Sequence, residues 1–425
     1  MTVRHAWLAG RLGLLATAIT VHQPLIAQSN ARLPGASEDV RRLVDTLKAR
    51  HPKLRAFDAR ARFDSLATIV IGRVDTLPRS RAIMEIARLV ASLEDGHTQL
   101  GLWWDDSVGF ARYPFRLFVF EDGVFVTRAR PEARSLLGKR IIRIGSIPID
   151  SVIRRLRPFL HGDNEMNRRD ILETRLILHE VLEVAGATID GKAKFVVVDS
   201  SGHIDSLTLV PSKKESMEPL TGAADPSEAP PLYLRHRDTY WQTPIAGTRT
   251  MYAQINAMQS DSAFSFSQFC DSLFRAMKTL NSDRLILDLR LNNGGDNSLD
   301  DEFVNRLIRA TAIDRPDHFY VIVGRKTFSA AVNLTAELER HTSAILVGEP
   351  TAAPANHYGE TQRFTFPHSG ITALYSSLYW QSGDPRDARS AIEPSIRAPL
   401  RFSDYRHNRD PALQAILARA VPPGL

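Results

Sequence analysis

Cysteine is almost absent from this chain of 425 residues. Cys270 stands alone, so no intramolecular disulfide can form and stability must come from the core. Its neighbourhood, SFSQFCDSLFRAM, reads as an amphipathic helix with no His or basic residue to lower the thiol pKa, so Cys270 reads as a buried, inert thiol. Metal-binding patterns are missing as well. There is no His-Glu-x-x-His run and no Cys/His cluster at ligand spacing, so neither a metal nor another cofactor is expected. Long hydrophobic runs are absent: Leu12–Val21 is too short for an ordinary membrane span, and no other stretch is both long and uncharged. Charge of one sign is not concentrated either. The net charge is +6 with the basic residues scattered, and no zinc-finger or RNA-binding motif accompanies them, which argues against a nucleic-acid partner. The densest basic stretch, Arg154–Asp170, reads as a solvated helical face. Low-complexity tracts and internal repeats are not seen.

What is present is an ordinary globular composition, 43% hydrophobic and 24% charged, over a length sufficient for two or three domains. Arg4 and Arg11 flank the short apolar run, and PLIAQSN follows. This is the layout of a secretory signal peptide over residues 1–27, with cleavage after Ala27 and export to the periplasm or exterior. Residues 28–112 read mainly helical, with apolar residues at three-to-four spacing in EDVRRLVDTLKARHPKL, FDARARFDSLATIV and SRAIMEIARLVASLE. The last runs into EDGHTQL, whose Asp95-Gly96 is a turn signal and which delivers His97. Residues 113–212 alternate hairpin, strand, helix and hairpin. That order, most of all over Gly138–Leu156, resembles a degenerate PDZ-like module or lid, without a Gly-Leu-Gly-Phe carboxylate loop. Residues 213–239 read as a polar linker. From residue 240 onward, near-continuous apolar strands alternate with amphipathic helices, which predicts an α/β core with a mainly parallel sheet over 240–425.

Two motifs in that core carry chemistry. LILDLRLNNGGDN is a buried strand ending in Gly294 and Gly295, a pair able to take positive φ and present bare N–H groups to an anion. TFSAA puts Ser329 where strand FYVIVG gives way to a helix, over free N–H groups. Ser is also a favoured helix N-cap, so the bland role competes. A nucleophilic serine needs a base. His97 leads, and His357, on the loop after strand AILVG, is the rival. An acid to orient the imidazole is sought in QSGDPRDARSAIEP: Asp387 is favoured, with Asp384 and Glu393 as alternatives and a charged surface loop as the competing role.

The order DGHT (Asp95–Thr98), LILDLRLNNGGDN, TFSAA, VGEPT (Val347–Thr351) and IEPSI (Ile392–Ile396) resembles the tail-specific, or C-terminal processing, serine peptidases. The resemblance spans roughly residues 80–400. It implies a crotonase-like core, a PDZ-like or lid module before it, Ser329 as nucleophile, and an oxyanion hole from Gly294 or Gly295 with Ala330. The processing branch uses a lysine base in a G-E-x-T-x-G-K pattern. Here the stretch is GEPTAAP and Pro354 stands at the lysine position, so the chain resembles the tricorn-type branch, in which a histidine of the DGHT region is the base. The expected partner is a peptide or protein substrate. A non-catalytic peptide- or ligand-binding protein on the same fold, and an esterase, are the alternatives.

Overall fold

The computed structural model describes residues 31–213 and 219–420. The expected signal peptide, and residues 214–218 of the expected linker, lie outside the described residues.

The C-terminal half is built on a six-stranded sheet. Its order is Ile396–Arg397, Ile345–Gly348, Phe319–Val323, Arg284–Asp288, Thr250–Ile255 and Tyr240–Pro244. Every neighbouring pair is parallel except the last, where Tyr240–Pro244 closes the edge antiparallel. The three central strands are buried at every position. Their side chains alternate between two cores. Met251, Leu285, Leu287, Phe319 and Val321 pack under helices Phe266–Thr279, Asp300–Arg309 and Ala330–His341. Tyr252, Ile286, Tyr320 and Ile322 face Ala412 and Ile416 of helix Pro411–Leu417. Burial on both faces explains the near-continuous apolar runs. Helix Phe266–Thr279 starts on a capping box in which Ser265 and Gln268 bond reciprocally. It buries Cys270, and burial pushes that thiol up to about 12, so it stays protonated.

The N-terminal half packs helices Ala36–Arg50, Phe57–Arg73 and Arg79–Ala91 with an antiparallel sheet. The main strands of that sheet are Phe115–Phe120, Gly123–Ala129, Arg140–Ile144, Ala193–Val198 and Ile204–Leu209. One continuous core runs through both, across residue 112. Among the described residues, no helix is long and apolar enough to cross a membrane.

A long hairpin joins the halves. Strands Asn356–Thr365 and Thr372–Gln381 pair with each other and with Gln99–Leu100, forming a separate sheet. The far end of the hairpin buries Phe366, Ile371, Ala373 and Tyr375 in the N-terminal core. Its near end carries His357 and Trp380, paired across the strands. Pairing with Gln99–Leu100 fixes the chain two residues after His97, which sets where that imidazole can reach.

Candidate active site

Ser329 occupies the residue before helix Ala330–His341, with φ 54° and ψ −129°. A non-glycine residue held at positive φ is strained and is tolerated only where its surroundings enforce it. The neighbourhood supplies that force. Phe328 N donates to the Asn292 carbonyl at 3.0 Å, Ala352 N to the Thr327 carbonyl at 3.0 Å, and Thr327 Oγ1 to the Leu289 carbonyl at 2.9 Å. The Ser329 side chain makes no capping bond to its helix. The bland role for this serine therefore fails, since a capping serine sits in extended backbone and accepts from the first turn.

The hydroxyl meets His97 instead: Nε2 lies 2.9 Å from Oγ. His97 follows a turn in which Glu94 takes φ 45°. Its ring is stacked between Phe328 (centroids 4.3 Å) and His357 (5.7 Å, nearly parallel). Burial pushes its pKa below the ordinary imidazole value, while the Asp95 charge and then the Tyr358 carbonyl pull it part of the way back. His97 is thus a neutral acceptor at pH 7, aimed at a hydroxyl.

The structure does not bring the expected acid to this imidazole. Asp387 is bound by Arg389, which in turn grips Glu339. Asp384 is held by Arg386 on the surface, and Glu393 is exposed. The carboxylate beside His97 belongs to Asp95, with Oδ1 3.9 Å from Nδ1, too far for a hydrogen bond. Asp95 is fully buried and anchors the turn. Oδ1 accepts from His97 N at 2.9 Å; Oδ2 accepts from Thr98 Oγ1 and from Ser376 Oγ, and lies 3.0 Å from His51 Nε2. Burial would raise its pKa, but the His51 hydrogen bond, the His97 and His51 charges and the Ser376 hydroxyl outweigh it and hold the carboxylate far below the usual range. His51 Nδ1 accepts from Lys53 N, which assigns the proton to Nε2 and makes His51 the donor to Asp95.

His357, the rival base, is turned to another task. Its Nδ1 lies 3.0 Å from the Pro354 carbonyl, and burial, then the His97 charge, push its pKa down to about 4. It backs the His97 ring and makes no contact with Ser329.

Opposite the hydroxyl stand the two glycines. Gly294 takes φ 102° and Gly295 φ 140°. A Cβ on Gly294 would fall 2.5 Å from Ser329 Cβ and 2.8 Å from Ala330 N. One expected oxyanion donor is corrected here: Gly294 N already donates to Asn292 Oδ1 at 2.8 Å. Among the described residues, the Gly295 and Ala330 amides have no acceptor, so they are the pair free to meet an anion. An open cleft of about 410 Å³, lined by His97, Asn293, Gly295, Ser329, Glu360 and Trp380, receives whatever binds there.

The stretch expected to be a solvated basic face also departs from expectation. His161, Asn164 and Arg168 are buried. Asp163 Oδ2 accepts from Gly96 N at 3.1 Å, and burial together with the Asp95 charge pushes its pKa well up. Asn164 Nδ2 donates to the Thr351 and Ser390 carbonyls, tying the halves together. Donor atoms of Asp95, His97 and Asp163 lie within 4.8 Å of one another. Asp95 already accepts from His97 N, Thr98 Oγ1 and Ser376 Oγ, and Asp163 accepts from Gly96 N, so both carboxyls have hydrogen-bond partners of their own. A second group, Asp225, Glu228 and His407, lies at the surface.

No protein-family model and no curated sequence matches this chain. Its fold is similar to that of mature CPAF, with a TM-score of 0.62 at 13% identity, covering 92% of this chain and 96% of that one. The complex of mature CPAF with lactacystin gives 0.60 at 12% identity, covering 92% and 97%. The photosystem II D1 C-terminal processing protease is a more distant structural neighbour, at TM-score 0.41 and 12% identity over 85% of this chain and 93% of that one. At these identities the fold is what is shared.

Proposed function

We propose that the chain is a serine peptidase of the tail-specific, C-terminal processing kind, working through a Ser–His pair of the tricorn type. One observation carries this reading: His97 Nε2 is 2.9 Å from the hydroxyl of a serine held at φ 54°. A strained serine that caps nothing, paired to a neutral imidazole, is the arrangement nucleophilic catalysis needs. His97 takes the Ser329 proton as Oγ attacks the peptide carbonyl. The oxyanion rests on the Gly295 and Ala330 N–H groups, which have no acceptor among the described residues. His97 then gives its proton to the leaving amine, and water, activated the same way, releases the acyl-enzyme. Asp95 fixes the backbone of His97 and supplies the negative charge that stabilises the imidazolium; Asp387 has no part.

The finer fold reading belongs to the same proposal. The parallel sheet with its covering helices supports a crotonase-like core, and the antiparallel strands over 113–212 support a degenerate PDZ-like module. Export by the N-terminal leader completes it.

A fluorophosphonate probe followed by peptide mapping tests the chemistry. Labelling is expected on Ser329, absent in Ser329→Ala and strongly slowed in His97→Ala. Labelling at another residue, or labelling that persists in Ser329→Ala, overturns the reading. Matched peptide and ester substrates then separate a peptidase from an esterase.

A further inference from the structure

Beside the catalytic cleft lies a second chamber of about 320 Å³ that shares Gly96, Gln99, Asn293 and Phe328 with it. A group bound near Ser329 can therefore extend directly into it. Its wall carries Arg175, the last residue of helix Glu165–Arg175. Arg175 is 4% exposed, and among the described residues it has no carboxylate partner. Its one hydrogen bond there runs from Nη1 to Thr174 Oγ1, and its Nε is buried without an acceptor. The other cations of the wall are engaged: Lys326 pairs with Asp170, and Arg325 with Glu349. Glu173, whose carboxyl burial pushes up to about 8, lies 3.6 Å from Arg325 rather than pairing with Arg175.

A buried guanidinium without a counter-charge is costly, and the negative end of its own helix offsets only a part of that cost. Its neighbours are unmet too. Asn167 Oδ1 is buried without a donor, and His161 makes no hydrogen bond among the described residues. Two buried polar atoms with open valences, Arg175 Nε and Asn167 Oδ1, thus line one chamber that borders the cleft of the nucleophile. Arginine presents a planar fork that matches a carboxylate, and Asn167 Oδ1 can accept an N–H from the same ligand.

We propose that this chamber is the specificity pocket of the cleft and that Arg175 binds a substrate carboxylate there. The carboxylate is an Asp or Glu side chain near the scissile bond. The inference rests on the serine peptidase reading of Ser329, and the experiment separates the two.

Fluorescent peptides matched in pairs, Glu against Gln and free C-terminus against amide, are titrated onto Ser329→Ala protein by anisotropy and assayed for cleavage by the wild type. Loss of the carboxylate is expected to weaken binding and kcat/KM by about tenfold or more, as for a hydrogen bond to a charged group. The gap is expected in the Glu/Gln pair; a gap confined to the pair with free and amidated C-termini overturns the side-chain assignment. In Arg175→Met the gap closes while neutral peptides keep their affinity. Equal binding of both members of both pairs overturns the pocket, as does a gap that survives in Arg175→Met. If that variant does not fold, the peptide pairs on Ser329→Ala protein decide alone. Fluorophosphonate labelling of Ser329 reads the catalytic proposal independently: labelling without a carboxylate gap overturns the pocket only, and a gap without labelling overturns the peptidase reading only.

Discussion

At the scale of single residues, the proposed nucleophile was legible because strand, loop and helix periods bracket it. The acid was not. Asp95 stands two residues before the base, and in sequence Asp-Gly reads as a turn. Only the fold collects His51, Thr98 and Ser376 around it, from up to 281 residues away. The oxyanion donor was half legible: a glycine pair shows, but that Asn292 Oδ1 occupies Gly294 N does not. Two tests belong at this scale. Gly294→Ala puts a methyl 2.5 Å from Ser329 Cβ at a φ of 102°. The same methyl falls 2.8 Å from Ala330 N and displaces that proposed oxyanion donor, so kcat is expected to fall by about 100-fold or more with far-UV circular dichroism retained. Asp95→Asn removes a charge that raises the His97 pKa. In the wild type the acid limb of kcat/KM should fall below the ordinary imidazole value of about 6.5, because burial favours the neutral base. In the variant, kcat should drop by about 100-fold or more and the limb should move further to the acid side. A limb that moves up instead would show that the Asp95 charge does not act on His97. A pH–rate profile of both proteins reads the sign.

At the scale of elements, the strand-and-helix alternation of the parallel sheet was legible since its strands are buried on both faces. The long hairpin was not, because a pair of ten-residue strands in sequence says nothing about which sheet they join. Its burial pattern, with Glu360 to Arg363 exposed on one strand and Tyr375 and Ser376 buried opposite, makes sense only once both halves of the chain are in place. Phe366 is the test of that bridging role, being fully buried in the N-terminal core though it lies in the C-terminal half of the chain. Phe366→Ala should cost about 3–5 kcal/mol in denaturant unfolding, the usual range for a buried aromatic. It should also lower turnover, since Gln99–Leu100 pair with the same hairpin and position His97. A variant destabilised to that extent with unchanged kcat would separate the hairpin from catalysis.

At the scale of the whole molecule, several acids are buried away from the site. The Asp300 carboxyl is pushed up to about 8 by burial, then by Glu337, Asp301 and Asp296. The unfolded value is about 3.9, so the folded state keeps a proton that the unfolded chain has lost. Such a group favours the fold at low pH, and its contribution declines as the pH rises from about 4 toward 8. Asp300→Asn abolishes that decline. Its melting temperature at pH 8 should exceed that of the wild type by about 2 °C or more, with the difference vanishing near pH 4. Scanning calorimetry at both pH values checks it. The hairpin has a consequence for synthesis as well. Ser329 and His97 are 232 residues apart, yet both are translated before Thr372–Gln381, the strand that clamps Gln99–Leu100. A nascent chain that has already made Ser329 has not yet made the strand that pairs with Gln99–Leu100, next to His97. On the proposed mechanism, truncated or stalled products ending before Thr372 would hold a serine without a positioned imidazole and would not react with a fluorophosphonate.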